Sequence, residues 1–205
     1  MDAAERLLHE SLPDLQRAVR EQLWAYVQGL LRWNQAYNLT AIRDPEQMVR
    51  RHILDSASIA PYVHGRLLDV GTGAGFPGLV LAIMHPQMPV TLIGSNGKKT
   101  RFLRQMVAEL GLPQVKVVQA RAEDEDGELY DSISSRAYAS LPDMVLSCLH
   151  RLAVGGRLLA MKGKYPQEEL QQLDAQLHAE VVRLHLQHVD EERHLIIIRR
   201  TCDEG

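Results

Sequence analysis

Residues 67–78 read Leu-Leu-Asp-Val-Gly-Thr-Gly-Ala-Gly-Phe-Pro-Gly, a strand-like run that breaks into glycines at alternate positions. Gly71, Gly73 and Gly75 allow a tight turn and a close approach of backbone to ligand, at the positive end of the helix expected next. Asp69 sets an anion at the end of the strand. A carboxylate there suits a ligand carrying an ammonium group and repels a pyrophosphate. The chemistry to expect at this loop is the binding of a nucleoside cofactor.

Two patterns fit these glycines. Gly73, Gly75 and Gly78 satisfy G-x-G-x-x-G, the dinucleotide fingerprint, which alone is weak evidence. Asp69, Gly71, Gly73 and Gly75 satisfy an acidic-x-G-x-G-x-G loop, which resembles the cofactor loop of class I S-adenosylmethionine methyltransferases. Pro77 stands where a dinucleotide fold wants free helix N–H groups. Residues 119–124, Gln-Ala-Arg-Ala-Glu-Asp, end a third strand with an acidic edge of the kind methyltransferases of this class use for adenine. The cofactor-binding candidates are Asp69, Gly71, Thr72, Gly73, Gly75, Phe76, Ser95, Ala122, Glu123 and Arg136. One position departs from the pattern. The second strand, Val90 to Ile93, ends on Gly94, where an acid that grips the ribose hydroxyls is normally found.

The acceptor side is expected along residues 130–141, Tyr-Asp-Ser-Ile-Ser-Ser-Arg-Ala-Tyr-Ala-Ser-Leu. No Asn-Pro-Pro-Tyr-like tetrapeptide occurs there, which argues against transfer to an exocyclic amino group. No cysteine flanks the run, so covalent attack on a pyrimidine ring lacks its nucleophile. Cys148, between Leu146 and Leu149, reads as core. No general base stands out, and guanine N7 needs none. It presents an in-plane lone pair without a proton, so transfer asks for alignment and desolvation. Arg136 is the polar group best placed at the strand end. A bidentate grip on O6 and N7 is its usual guanine contact, but would mask the reacting atom. Contact with O6 alone, a phosphate or the cofactor carboxylate is expected instead.

The elements that must hold these residues follow from periodicity. Leu15 to Trp33 repeats apolar residues at helical spacing, and Asp44-Pro45 starts a second helix that runs through Ile53. Strand-like runs occur at 66–70, 90–93, 115–119, 131–135, 157–161, 181–186 and 194–199, with helical segments at 75–85, 98–110, 141–152 and 166–180. Alternating strands and helices predict a Rossmann-like, mostly parallel α/β sheet. Val189 to Glu192 reads as a turn that closes a C-terminal antiparallel hairpin. Residues 1–60 would form an N-terminal helical extension packed on the core, and 61–205 the core itself.

With 45% apolar and 24% charged residues, the 205-residue chain can bury a sizeable core. No apolar run approaches the roughly 18 residues of a membrane span, and no signal peptide opens the chain. Two cysteines, Cys148 and Cys202, make neither a metal motif nor a disulfide framework. A cytoplasmic monomer without metal is expected. The net charge of −3 does not announce a nucleic-acid binder, yet Lys98, Lys99, Arg101 and Arg104 form a run without an acid. Lys98, Lys99 and Arg101, with Lys162, Lys164, Arg51 and His52, are the candidate RNA contacts at the carboxyl edge of the sheet.

Longer stretches carry a more specific resemblance. Tyr-Asn-Leu-Thr-Ala-Ile-Arg-Asp-Pro-Glu-Gln-Met-Val-Arg-Arg-His-Ile-Leu-Asp-Ser (37–56), the glycine loop, Lys-Lys-Thr-Arg-Phe-Leu-Arg-Gln (98–105) and Ser-Arg-Ala-Tyr-Ala-Ser-Leu (135–141) resemble the glucose-inhibited division protein B family. Its members are bacterial 16S ribosomal RNA (guanine-N7) methyltransferases, and the likeness runs from about residue 20 onward. The resemblance implies S-adenosylmethionine contacts at Gly71, Phe76, Ala122-Glu123 and Arg136. It implies a guanosine of the small ribosomal subunit near the decoding centre as substrate, in free 16S RNA or the 30S particle. It places Asn38, Arg51, His52 and Asp55 at the cleft mouth. It also implies Asp-Ser where this chain has Gly94-Ser95, so the ribose acid is expected and missing. Two other readings stay open: a methyltransferase-like module that binds RNA without transfer, and an NAD-dependent oxidoreductase.

Overall fold

Seven strands form one sheet in the order β3-β2-β1-β4-β5-β7-β6 in the computed structural model, which describes residues 2–124, 127–186 and 191–201. Strands β1 (Leu67–Val70), β2 (Val90–Ile93), β3 (Val115–Val118), β4 (Tyr130–Arg136) and β5 (Leu152–Lys162) are parallel, while β7 (His194–Arg200) runs antiparallel to both β5 and β6 (Leu177–Arg183). Both faces of the central strands are covered, so β1 and β2 are buried throughout, and β4 buries Ser132, Ser134 and Ser135 beside Ile133. Strand order reverses between β1 and β4, so their carboxyl ends open the crevice in which such sheets bind ligands.

Helices α1 (Ala3–Ser11), α2 (Arg17–Tyr37) and α3 (Pro45–Met48) precede the sheet, and α3 continues through a π-helical turn, Val49–Leu54, into α4 (Asp55–Ala57). The α3 start is the one expected: Asp44 Oδ1 accepts from Gln47 N at 2.8 Å, with Pro45 at the first position, an N-cap worth about 1 kcal/mol. The N-terminal helices have no separate core. Leu8, Leu23, Tyr26 and Leu30 are buried in one cluster with Leu79 and Val80 of α5 (Gly78–Met84) and with Phe102 and Leu103 of α6 (Gly97–Glu109). A second cluster on the opposite face joins Ile133, Ile196 and Ile198 to α7 (Leu141–Cys148), where Cys148 is buried as expected.

The structure revises the last third of the chain. Residues 166–180 were expected as one helix; α8 covers only Gln167–Gln171, and β6 begins at Leu177. This edge strand alternates half-buried Leu177, Ala179 and Val181 with exposed His178 and Glu180, a weaker signal than a buried run. Its connection to β7 is correspondingly longer than the expected turn, whose Val189 and Asp190 lie outside the described residues, as does Cys202. Strand β5 starts at Leu152, five residues before the expected 157, across a register irregularity opposite Tyr130 and Ser132.

Candidate active site

The glycine loop is held from below and from the side. Gly71, Gly73 and Gly75 have φ of 63°, 59° and 107°, a region costly for other residues. A Cβ on Gly71 would stand 2.3 Å from the Tyr138 ring, and one on Gly78 would stand 2.6 Å from Asp69 Cβ. Asp69 is fully buried: Oδ2 accepts from Gly78 N at 3.0 Å and Oδ1 from Ser134 Oγ at 2.8 Å. Burial pushes its carboxyl up to about 6, against the lowering effect of its hydrogen-bond donors and of Arg136. The expectation that Asp69 meets a ligand ammonium is therefore corrected. Both oxygens accept hydrogen bonds under the loop, and Asp69 lines none of the cavities at the sheet edge; the role its contacts show is shaping the turn.

The loop amides decide between the two glycine patterns. Gly75 N and Phe76 N both donate to Thr72 O, at 2.8 and 3.0 Å, Leu79 N donates to Gly75 O at 2.8 Å, and Gly78 N is taken by Asp69. Pro77 has no N–H. A pyrophosphate cradle needs these groups free, so the dinucleotide reading loses its physical basis.

Residues not singled out from sequence fasten the N-terminal helices over this loop. Buried Tyr26 donates its hydroxyl to Ala74 O, and its ring lies 5.6 Å from that of Phe76. Buried Asn34 accepts from Thr40 N at 2.9 Å and donates to Ile42 O at 3.2 Å, pinning the segment after Asn38, whose φ of 49° ends α2. In sequence both residues look like ordinary helix positions, since their roles lie in bonds to loop backbone.

Arg136, at the end of β4, is the node of the site. Nη1 donates to Arg51 O at 2.9 Å and to Asp55 Oδ2 at 3.0 Å, Nη2 donates to His52 Nδ1 at 3.1 Å, and the guanidinium lies 4.8 Å from the Phe76 ring centroid. Three of five N–H donors are used, which leaves two for a ligand oxygen. His52 is stacked on Phe76 at 4.3 Å and shares a 2.8 Å hydrogen bond with Thr40 Oγ1. Nδ1 lies 3.1 Å from both Arg136 Nη2 and Arg51 O; with the arginine as donor Nδ1 accepts, and the proton sits on Nε2 facing Thr40 Oγ1. Burial, then the Arg136 charge, lowers the His52 pKa to about 3. His52, expected among the RNA contacts, is thus neutral and largely buried, and meets a ligand only as part of the wall of the cavities described next.

Three cavities follow the carboxyl edge of the sheet. One of about 290 Å³ is lined by Gly71, Gly94, Ser95, Ala122, Glu123 and Tyr138. A second of about 410 Å³ is lined by Gly71 to Ala74, Phe76, Lys99 and Arg136. A third of about 470 Å³ is lined by Arg51, Asp55, Arg136, Lys162 and Arg193. The first two share Gly71, and the last two share His52, Arg136 and Ala137. Each is near or within the size of a small-molecule site. Ala137 keeps a φ of 51° at their junction, a strained conformation for a residue with a Cβ. Lys162 reaches the third cavity but donates to Glu169 Oε2 at 2.8 Å and Ala139 O at 3.0 Å, so its charge is already matched. Lys98, Arg101 and Lys164 lie outside all three linings. Among the described residues Lys98, Lys99 and Arg101 form no ion pair, although they open α6 at the positive end of its dipole. Asn96 caps that helix, accepting from Lys98 N and Lys99 N at 3.1 Å.

The donor set fits S-adenosylmethionine better than a dinucleotide. Ser95, Glu123 and the Ala122 segment ring the first cavity. Buried Thr72, whose hydroxyl also holds the Asp69 pKa down, has no hydrogen-bond partner of normal geometry. No group of three or more His, Cys, Asp or Glu that could hold a metal, and no helix long and apolar enough to cross a membrane, occurs among the described residues.

Comparison with known proteins agrees with this geometry. Residues 19–196 match the model of the GidB family, described as rRNA small subunit methyltransferase G. Ribosomal RNA small subunit methyltransferase G of Serratia proteamaculans is 50% identical over 193 residues, 92% of each chain. That of Idiomarina loihiensis is 46% identical over 197 residues, 95% of this chain and 96% of the relative. Among solved structures, TrmN from Thermus thermophilus aligns with a TM-score of 0.58 at 20% identity, covering 71% of this chain and 48% of that one, a likeness of fold.

Proposed function

The chain belongs to the GidB family of rRNA small subunit methyltransferase G proteins, and from that premise we propose that it transfers a methyl group from S-adenosylmethionine to N7 of a guanosine in 16S ribosomal RNA. The observation that carries this reading is the meeting of two cavities at Arg136, one floored by the glycine loop and one walled by cations. It acts in the cytoplasm, as a monomer, on the small subunit or its RNA.

When bound, S-adenosylmethionine supplies an electrophilic methyl on a sulfonium. The chain's own part is binding and orientation. Glu123 and Ser95 face the nucleoside half, and the backbone of Gly71 to Ala74, fixed by Tyr26 and Asp69, shapes the other half. Arg136, held by Asp55, Arg51 O and His52, keeps two N–H groups at the junction for guanine O6 or the cofactor carboxylate. Neutral His52 has no proton to remove, since N7 carries none. Rate enhancement then rests on alignment and exclusion of water. Arg51 and the unpaired cations of α6 supply sequence-independent attraction to phosphate.

Incubating 30S particles and protein-free 16S RNA with labelled S-adenosylmethionine tests the proposal, with NADH titrated in parallel. Label recovered as 7-methylguanosine in 16S RNA is expected. Tight cofactor and RNA binding without transfer would favour the binding-module reading.

A further inference from the structure

The 470 Å³ cavity is walled by two kinds of group. Ile42, Met161 and Leu184 offer apolar surface, while Arg51 and Arg193 bring charge from segments far apart in sequence. Two carboxylates answer those charges, and they differ. Asp55 is buried, with Arg136 Nη1 at 3.0 Å from one oxygen and Arg193 Nε at 3.2 Å from the other, the latter without hydrogen-bond geometry. Glu191 is half-exposed and stands between Arg51 Nη2, with which it makes a short ion pair, and Arg193 Nη2 at 2.9 Å. Asp55 cannot leave without stripping Arg136 of its counter-charge and Arg193 of its buried one. Glu191 can, because an exposed pair is worth little against water.

We propose that this cavity takes the target nucleotide, base against the apolar wall and phosphate between Arg51 and Arg193, where the Glu191 carboxylate now stands as a placeholder anion. A phosphate brings more charge and more acceptor oxygens to the same two arginines, which suit its geometry. Expelling Glu191 keeps the arginines paired in both states. It also puts a cost on anions that lack a base to fill the apolar part. The proposal rests on the guanosine-methylating reading above and names where its substrate docks.

The test uses the whole chain saturated with S-adenosylhomocysteine, so that of the three cavities along the sheet edge the third is the one left open, and titrates guanosine 5′-monophosphate against guanosine by calorimetry. The wild type is expected to prefer the monophosphate. Glu191→Gln is expected to strengthen monophosphate binding roughly two- to tenfold, and Arg51→Gln to abolish the preference. Equal binding of the two ligands by the wild type, no binding of either, or weaker monophosphate binding by Glu191→Gln overturns the proposal. The last outcome is what a purely structural ion pair would give. Transfer of label to 16S RNA by the wild type is read alongside. If S-adenosylhomocysteine does not bind and no transfer occurs, the functional reading fails and this proposal with it. Intact transfer with no monophosphate effect sinks the docking site alone.

Discussion

Arg136 Nη1 lies 3.0 Å from Asp55 Oδ2, an ion pair between the end of β4 and the start of α4 in which both side chains are largely shielded. It ties the N-terminal helices to the crevice. Removing the acid leaves Arg136 and Arg193 without their buried counter-charge. Asp55→Asn is expected to cost about 3 kcal/mol of stability, read by urea unfolding, and to raise the KM for RNA more than that for cofactor. A loss below about 1 kcal/mol, the scale of a surface pair, would contradict the clamp.

Asp69 gives a pH dependence of unusual sign. Its pKa is raised from 3.8 to about 6 in the fold, so between these values the native state holds a proton that the unfolded chain has released. The contribution is full below about pH 4 and is lost as pH rises through 6, roughly 3 kcal/mol in all. Other carboxylates titrate in the same window, so the comparison is with Asp69→Asn. Relative to that variant the wild type should lose stability from pH 4 to 6. A parallel pair of curves would show that Asp69 is not held in this way.

His52 has the opposite sign. Its pKa falls from 6.5 to about 3, so acid protonates the unfolded ring first. The stability it contributes is complete above about pH 6.5 and is lost as pH falls toward 3. Nitrogen-15 NMR should find the ring neutral, protonated on Nε2, from pH 8 to 5. A titration midpoint near 6 would return His52 to the list of solvent-facing RNA contacts.

Gly94 has room for a side chain: a Cβ there would meet only Thr72 Cγ2, at 3.7 Å. It lines the first cavity beside Ser95. Gly94→Asp is expected to tighten S-adenosylmethionine binding about ten- to a hundredfold, the value of hydrogen bonds between ribose and a carboxylate. Equal or weaker binding in calorimetry would remove the ribose from this position.

The sequence showed β1, β2 and β7 through their apolar runs and β3 and β4 as shorter strand-like runs alternating with helices, and it showed the glycine loop because positive φ demands glycine. It placed the start of β6 too late, because the alternation of Leu177, Ala179 and Val181 at this edge is only half-buried and carries polar His178 and Glu180 between. The node at Arg136 was named, and the resemblance put Arg51, His52 and Asp55 at the cleft mouth, but it did not give their bonds to Arg136. Asp55 lies 81 positions away, and no local spacing encodes a contact made by folding an N-terminal helix across a sheet. The same holds for Tyr26, which acts through the backbone oxygen of Ala74, 48 positions away. Asp69 was misread for a related reason: its spacing to the glycines is visible, but which way a strand-end carboxylate is consumed depends on Ser134 and Gly78.

Mass-spectrometric mapping of 7-methylguanosine in 16S RNA, from cells with and without this protein, addresses the central claim most directly. One guanosine of 16S RNA should lose its N7 methyl when the protein is absent and regain it when 30S particles are treated with the purified chain and S-adenosylmethionine. An unchanged 16S pattern, or methyl transfer to transfer RNA alone, would contradict it.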